Sequence, residues 1–216
     1  MLSRTRYMPS EQILDTVVLR VMSFALPDSI DIMLSALHAA CARFPAEVYN
    51  SDEDDASLAD DDPALSELAR GIRYARRRAN ESAMTEQMRY RTWLENSVQL
   101  QHELEKRRLI VDPLTFDEIR MRDEIMNRYG IGRGEAACLI LSLRYAATAV
   151  FVSSDRLACR TAQTLGIPYI TLETMLEQWV LHALPGLPRI QALVQGMRAA
   201  KFGLKEDVLR RMIERS

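Results

Sequence analysis

The stretch from Tyr129 to Trp179, YGIGRGEAACLILSLRYAATAVFVSSDRLACRTAQTLGIPYITLETMLEQW, leaves the chain few folds to choose from. Gly130, Gly132 and Gly134 end one helix and open another, which places Ala136, Leu139, Ile140 and Leu143 at helical spacing. Ala149 to Val152 follows as an apolar run with no polar member, the pattern of a buried parallel strand. A further helix turns Ala158, Ala162 and Leu165 inward, Gly166 stops it, and Ile167 to Ile170 makes the next strand. Strand and helix alternating at this spacing predict parallel βαβ units.

Such sheets bind ligands along the carboxyl ends of their strands. Asp155 falls there, where the apolar strand meets the following helix, and Glu135 falls in the first turn of the glycine-opened helix. Gln12 to Leu14 predicts another short strand, and Asp15 stands at its end before a helix carrying Leu19, Met22 and Phe24. Each acid also has a purely structural reading. Asp is a preferred N-cap, and a first-turn Glu complements the helix dipole.

The rest of the chain predicts a lead-in over residues 1–10, a helix over Pro27–Ala39 and a strand over Cys41–Phe44. Ser51 to Pro63 holds seven acids in thirteen residues and reads as a solvated, mobile insertion. One broken or two long helices follow over Ala64–Arg108, and Arg70, Arg73, Arg76, Arg77 and Arg78 crowd one part of them. That cationic face either pairs with the acidic block or contacts nucleic-acid phosphates, with Tyr74 or Tyr90 stacking on a base. Leu109–Val111 is a strand, and Thr115 with Glu118 makes a capping-box pattern. Beyond Trp179 the chain reads as helix, interrupted near Leu187-Pro188 and Gly203.

Composition narrows the partners. A net charge of −2 over 216 residues gives no global bias toward nucleic acid, so such a partner must meet a local patch. Cys41, Cys138 and Cys159 form no C-x-x-C pair, which suits a reducing compartment, and His38, His102 and His182 lack zinc-type spacing. The first residues carry no leader pattern and no apolar run is long enough to cross a bilayer, so a cytoplasmic protein without membrane contact is expected.

GRGEAA, an apolar helix, a strand ending SSDRLACRTA and then LGIPYI together resemble the PIN domain family, in its branch of VapC-like ribonucleases. ILDTVVL, PAEVY, RRLIVDPLTFDEI and the C-terminal LPRIQALVQGMRAAKFGLKEDVLRRMI are similar to that branch as well, so the likeness covers roughly the first 50 residues and the last 110. It implies one three-layer α/β/α domain with a central, mostly parallel sheet over 1–216. An acidic loop and helical insertion occupy about 51–108, and C-terminal helices about 172–216.

The resemblance also implies a metal-dependent endoribonuclease, a hydrolase that in many family members is the toxin of a toxin–antitoxin pair. RNA, an antitoxin protein and a homodimer partner follow as expectations. Three neighbouring carboxylates repel one another, and a hard divalent cation, Mg²⁺ or Mn²⁺, relieves that repulsion. Asp15, Glu135 and Asp155 are the expected catalytic and metal-binding acids. The family places a glutamate three residues after the Val of P-x-x-V-Y. Here that position is Ser51, so Asp52 is the candidate fourth ligand, with Glu53 and Glu47 behind it. Ser153 and Ser154 are positioned to hydrogen-bond a ligand carboxylate or a phosphate oxygen. Arg73, Arg76, Arg77, Arg133 and Arg156 are the candidate nucleic-acid contacts.

The chain departs from the family at Val17, where an Asn is usual, at Ser51, and at Ile170, where relatives often have Gly. Those departures favour a second expectation, a catalytically impaired PIN-like module that binds nucleic acid or protein. A phosphoacceptor role for Asp155 lacks the lysine it needs after the next strand, and GIGRG does not fit a dinucleotide-binding glycine pattern.

Overall fold

The computed structural model describes residues 10–215; apart from Ser10, the expected lead-in lies outside them. The chain is α/β. Its strands are β1 (Glu11–Leu14), β2 (Ala42–Phe44), β3 (Leu109–Val111), β4 (Ala149–Val152) and β5 (Tyr169–Ile170). They form one sheet in the order β3-β2-β1-β4-β5, parallel at every pairing. Every residue of β4 is buried, as its uninterrupted apolar run requires.

The ten described helices are α1 (Thr16–Ala25), α2 (Ser29–Ala36), α3 (Glu67–Glu81), α4 (Met84–Glu105), α5 (Phe116–Tyr129), α6 (Arg133–Tyr145), α7 (Arg156–Thr164), α8 (Leu172–Ala183), α9 (Leu187–Ala199) and α10 (Glu206–Glu214). Their ends obey local chemistry. Thr115 and Glu118 close the capping box that starts α5, and Gly130 ends it in the left-handed conformation with φ 66°. None is long and apolar enough to cross a membrane.

Chain order reverses between β1 and β4. From β1 the chain moves outward through β2 to β3, then returns to the other side of β1. Open parallel sheets place their ligand crevice at such a reversal, here the carboxyl ends of β1 and β4. Register sharpens its position: Leu14 lies opposite Val152, and the Asp15 amide donates to the Val152 carbonyl at 3.0 Å. Asp15 and Ser153 are therefore the next facing positions, and both are buried at the base of this edge.

One segment differs from its sequence reading. Residues 51–63 fold onto α3 instead of hanging in solvent. The Arg73 guanidinium donates to the carbonyls of Asp55 at 2.5 Å, Leu58 at 2.7 Å, Glu53 at 2.9 Å and Asp52 at 3.3 Å. Arg76 pairs with Asp54, and Arg77 with Asp60 at 3.0 Å. A run of like charges repels itself only while no cations intervene, and α3 supplies them.

Candidate functional site

Four carboxylates meet at the crevice, each at the start of a helix. Asp15 is the N-cap of α1, Glu67 the first residue of α3, Glu135 lies in the first turn of α6, and Asp155 is the N-cap of α7. Four helix N-termini thus point their partial positive charge toward one region, which favours anions there.

Asp15 lies deepest and is fully buried. One carboxylate oxygen accepts the Thr16 amide at 2.7 Å and the other the Ser153 hydroxyl at 2.5 Å. Burial pushes its pKa from 3.8 to about 7, with repulsion from Glu135 and Glu67 adding to the rise and the Ser153 and Thr16 bonds opposing it. Burial also raises the Glu135 pKa, again with Glu67 and with Asp155 repelling it. Two buried thiols sense the same field. Cys159 is pushed up to about 11, first by burial and then by Asp15 and Asp155. The Cys138 thiol is raised by burial, then by Asp15, Glu67 and Glu135.

Ser153 ties two of the acids together. Its hydroxyl donates to Asp15 and accepts the Asp155 amide at 3.0 Å, while the Asp155 carboxylate caps α7 through the Ala158 amide at 2.7 Å. Ser154 reaches the other way: it accepts the Leu172 amide at 3.1 Å and donates to Glu173 at 3.1 Å. Glu67 is held on both oxygens, by the Thr16 hydroxyl at 2.6 Å and the Gly134 amide at 3.0 Å. A Cβ on Gly134 would stand 2.7–2.8 Å from that carboxylate, so only glycine leaves Glu67 its seat. A Cβ on Gly132 would meet the Glu135 carboxylate in the same way.

Glu67 is the acid that sequence reasoning missed. After β2 the chain makes one helical turn, with the Val48 amide donating to Pro45. The amides of Glu67 and Leu68 then donate to the carbonyls of Glu47 and Val48 at 3.0 and 2.9 Å. This is the bonding a helix uses between residues four apart. Glu67 therefore stands where residue 51 would in an uninterrupted helix, and residues 51–66 are looped out. The available signal was Ser66-Glu67 opening the apolar stripe Leu68, Ala69, Ile72 and Ala75.

The other acids near that position, Asp52, Glu53 and Glu47, are engaged elsewhere. Asp52 accepts the Ser66 amide at 2.8 Å and the Ser66 hydroxyl, so it closes the loop at the start of α3. Glu53 accepts the Tyr49 hydroxyl at 2.7 Å, and Glu47 pairs with Arg122 at 2.6 Å. Arg73, Arg76 and Arg77 hold the acidic loop, the structural alternative to their reading as phosphate contacts. Arg133 donates to the carbonyls of Pro63 and Leu65 and steadies the end of that loop. Arg156 stays exposed beside Asp155. Val17 packs against the core, and its neighbour Thr16 provides the hydroxyl that reaches Glu67.

Among the described residues, none of the four carboxylates is in an ion pair. An all-oxygen, anionic donor set with no cation of its own suits a hard divalent ion. In their present hydrogen bonds, no three His, Cys, Asp or Glu side chains of the described residues converge closely enough to share one ion. Comparison with protein-family models, curated proteins and solved structures finds no match.

Proposed function

We propose that the chain is a metal-dependent endoribonuclease of PIN type, hydrolysing RNA phosphodiester bonds at the crevice between β1 and β4. The observation that carries this reading is the gathering of Asp15, Glu67, Glu135 and Asp155 without a countercharge, with Asp15 fully buried among them. Glu67 strengthens the resemblance: by hydrogen-bond register it takes the place where the family has its second acid, which the linear sequence gives to Ser51. In a parallel sheet whose order reverses at β1, crossovers of the usual right hand would put helices on both faces, which supports the three-layer arrangement of that family.

In this reading Asp15, Asp155 and Glu67 hold Mg²⁺ or Mn²⁺, and Glu135 is either a further ligand or orients the attacking water. The ion, when bound, neutralises the carboxylates and makes a phosphodiester more open to in-line attack. The protein's own groups do the rest. Ser153 keeps Asp15 oriented, Thr16 and Gly134 keep Glu67 oriented, and the N-termini of α6 and α7 favour a phosphate beside them. Asp15 must be ionised to serve as a ligand and burial opposes that, so activity should fall as pH drops, at a higher pH when Mn²⁺ is scarce.

The test is cleavage of a fluorescent single-stranded RNA in Mn²⁺ by the wild type, Asp15→Asn and Glu67→Gln. Both variants should lose at least about a hundredfold, since even groups that only support metal ligands cost 10- to 100-fold. Equal cleavage by wild type and Asp15→Asn would remove the metal mechanism. Val17, where the resembled family usually has Asn, favours a second reading, a PIN-like module that binds without cutting. RNA binding by the wild type with no Mn²⁺-dependent cleavage would select it.

A further inference from the structure

Beside the acid site, on the β5 side, runs a cleft of about 580 Å³ between α7, the start of α8 and the link from α9 to α10. Ser154 stands at its inner end, next to Asp155 in the chain. Arg156 and Arg160, one helical turn apart on α7, line it together with Lys205 at the start of α10. Tyr169 and Phe202 contribute aromatic surface, and Tyr169 is 37% exposed.

Acids and cations in this cleft are used differently. Glu173 is held by Ser154, and Glu177 and Asp207 are both paired with Arg211. Arg156, Arg160 and Lys205 enter no ion pair among the described residues. The cleft therefore presents three cations outside any ion pair against one carboxylate, Glu173, that a hydroxyl holds without neutralising it, and it keeps a positive balance and an accessible ring although the chain as a whole is slightly acidic. Cations that follow a backbone, with an aromatic face on which a base can stack, form the recognition set for single-stranded nucleic acid.

We infer that this cleft is the channel that seats single-stranded RNA and leads a phosphate to Asp155, with Arg160 and Lys205 contacting phosphates and Tyr169 stacking on a base. The choice of polymer rests on the ribonuclease reading; the channel itself rests on the charge pattern and the ring.

The measurement is fluorescence anisotropy of a labelled, unstructured oligoribonucleotide in EDTA, where binding is read without cleavage. The double variant Arg160→Glu/Lys205→Glu should bind at least about tenfold more weakly, with a shallower salt dependence because two phosphate contacts are lost. Tyr169→Ala should weaken binding about tenfold. Arg120→Glu/Arg128→Glu, the same charge change at two exposed positions of α5, should bind like wild type, and thermal melts of all variants verify folding. Wild-type affinity in the folded double variant, or no saturable binding by wild type, overturns the channel. The two readings fail separately. Binding that depends on Arg160 and Lys205 without Mn²⁺-dependent cleavage sinks the nuclease and leaves the channel. Cleavage with an unchanged KM in the double variant sinks the channel and leaves the nuclease.

Discussion

Two acid-rich regions lie within a few residues of each other in this molecule, and they are built for opposite ends. The loop over residues 51–63 carries seven acids, and Arg73, Arg76 and Arg77 of α3 hold it through main-chain carbonyls and ion pairs. The crevice carries four acids drawn from the starts of four helices, with no ion pair among the described residues and one of them wholly buried. The loop shows that a high count of carboxylates says little by itself, because arginines hold Asp54 and Asp60 while hydroxyls and amides of the same chain hold Asp52, Glu53, Asp55 and Asp62. In the crevice the unmet charge is what matters. Burying carboxylates without cations costs stability, and folding tolerates that cost where a cation from outside can relieve it.

That contrast can be broken most sharply by matched substitutions. Glu67→Gln should reduce Mn²⁺-dependent cleavage at least about a hundredfold, whereas Asp52→Asn should leave it within about twofold while weakening the start of α3. If Asp52→Asn proved the more damaging in the cleavage assay, the two regions would have to exchange roles. Next in size, Arg73→Ala removes a guanidinium that serves four carbonyls. It should lower stability by about 2–3 kcal/mol in urea unfolding and make the loop a site of rapid limited proteolysis. An unchanged midpoint would mean the loop is held by other contacts.

A third experiment uses pH. The Asp15 carboxyl is near pKa 7 when folded and near 3.8 when unfolded, so the native state binds its proton more tightly. Its contribution to stability is fully present below about pH 3.8 and is lost as pH rises toward 7. Metal-free Asp15→Asn should therefore match the wild type at pH 4 and exceed it at pH 8, by about 1–3 kcal/mol after allowing for rearranged bonds to Ser153. Melting curves in EDTA across that range check it, and a difference that does not grow with pH would rule out the buried-charge account. The smallest effect belongs to Gly134→Ala. Its methyl meets only the carboxylate of Glu67, which must give up its bonds to Thr16 and Gly134, so stability should fall by about 1 kcal/mol while Mn²⁺ affinity, read by calorimetry, falls about tenfold.

Local chemistry made much of this legible beforehand. The apolar run of β4, the caps Asp15 and Asp155, the Thr115 capping box and the breaks near Pro188 and Gly203 all depend on residues within one or two turns of each other. Sequence alone therefore determined the parallel strands, three of the four crevice acids and their placement at helix starts. Only the tertiary structure decided the fourth. The hydrogen-bond register passes from Val48 to Leu68 across the looped-out acids, and no linear spacing rule follows a chain through such a detour. The same holds for the arginines of α3, whose partners were fixed when the loop folded back on them, and for the cleft beside Asp155, where walls from α7, α8 and α10 meet. Periodicity and capping are properties of neighbours along the chain, whereas charge compensation is a property of neighbours in space.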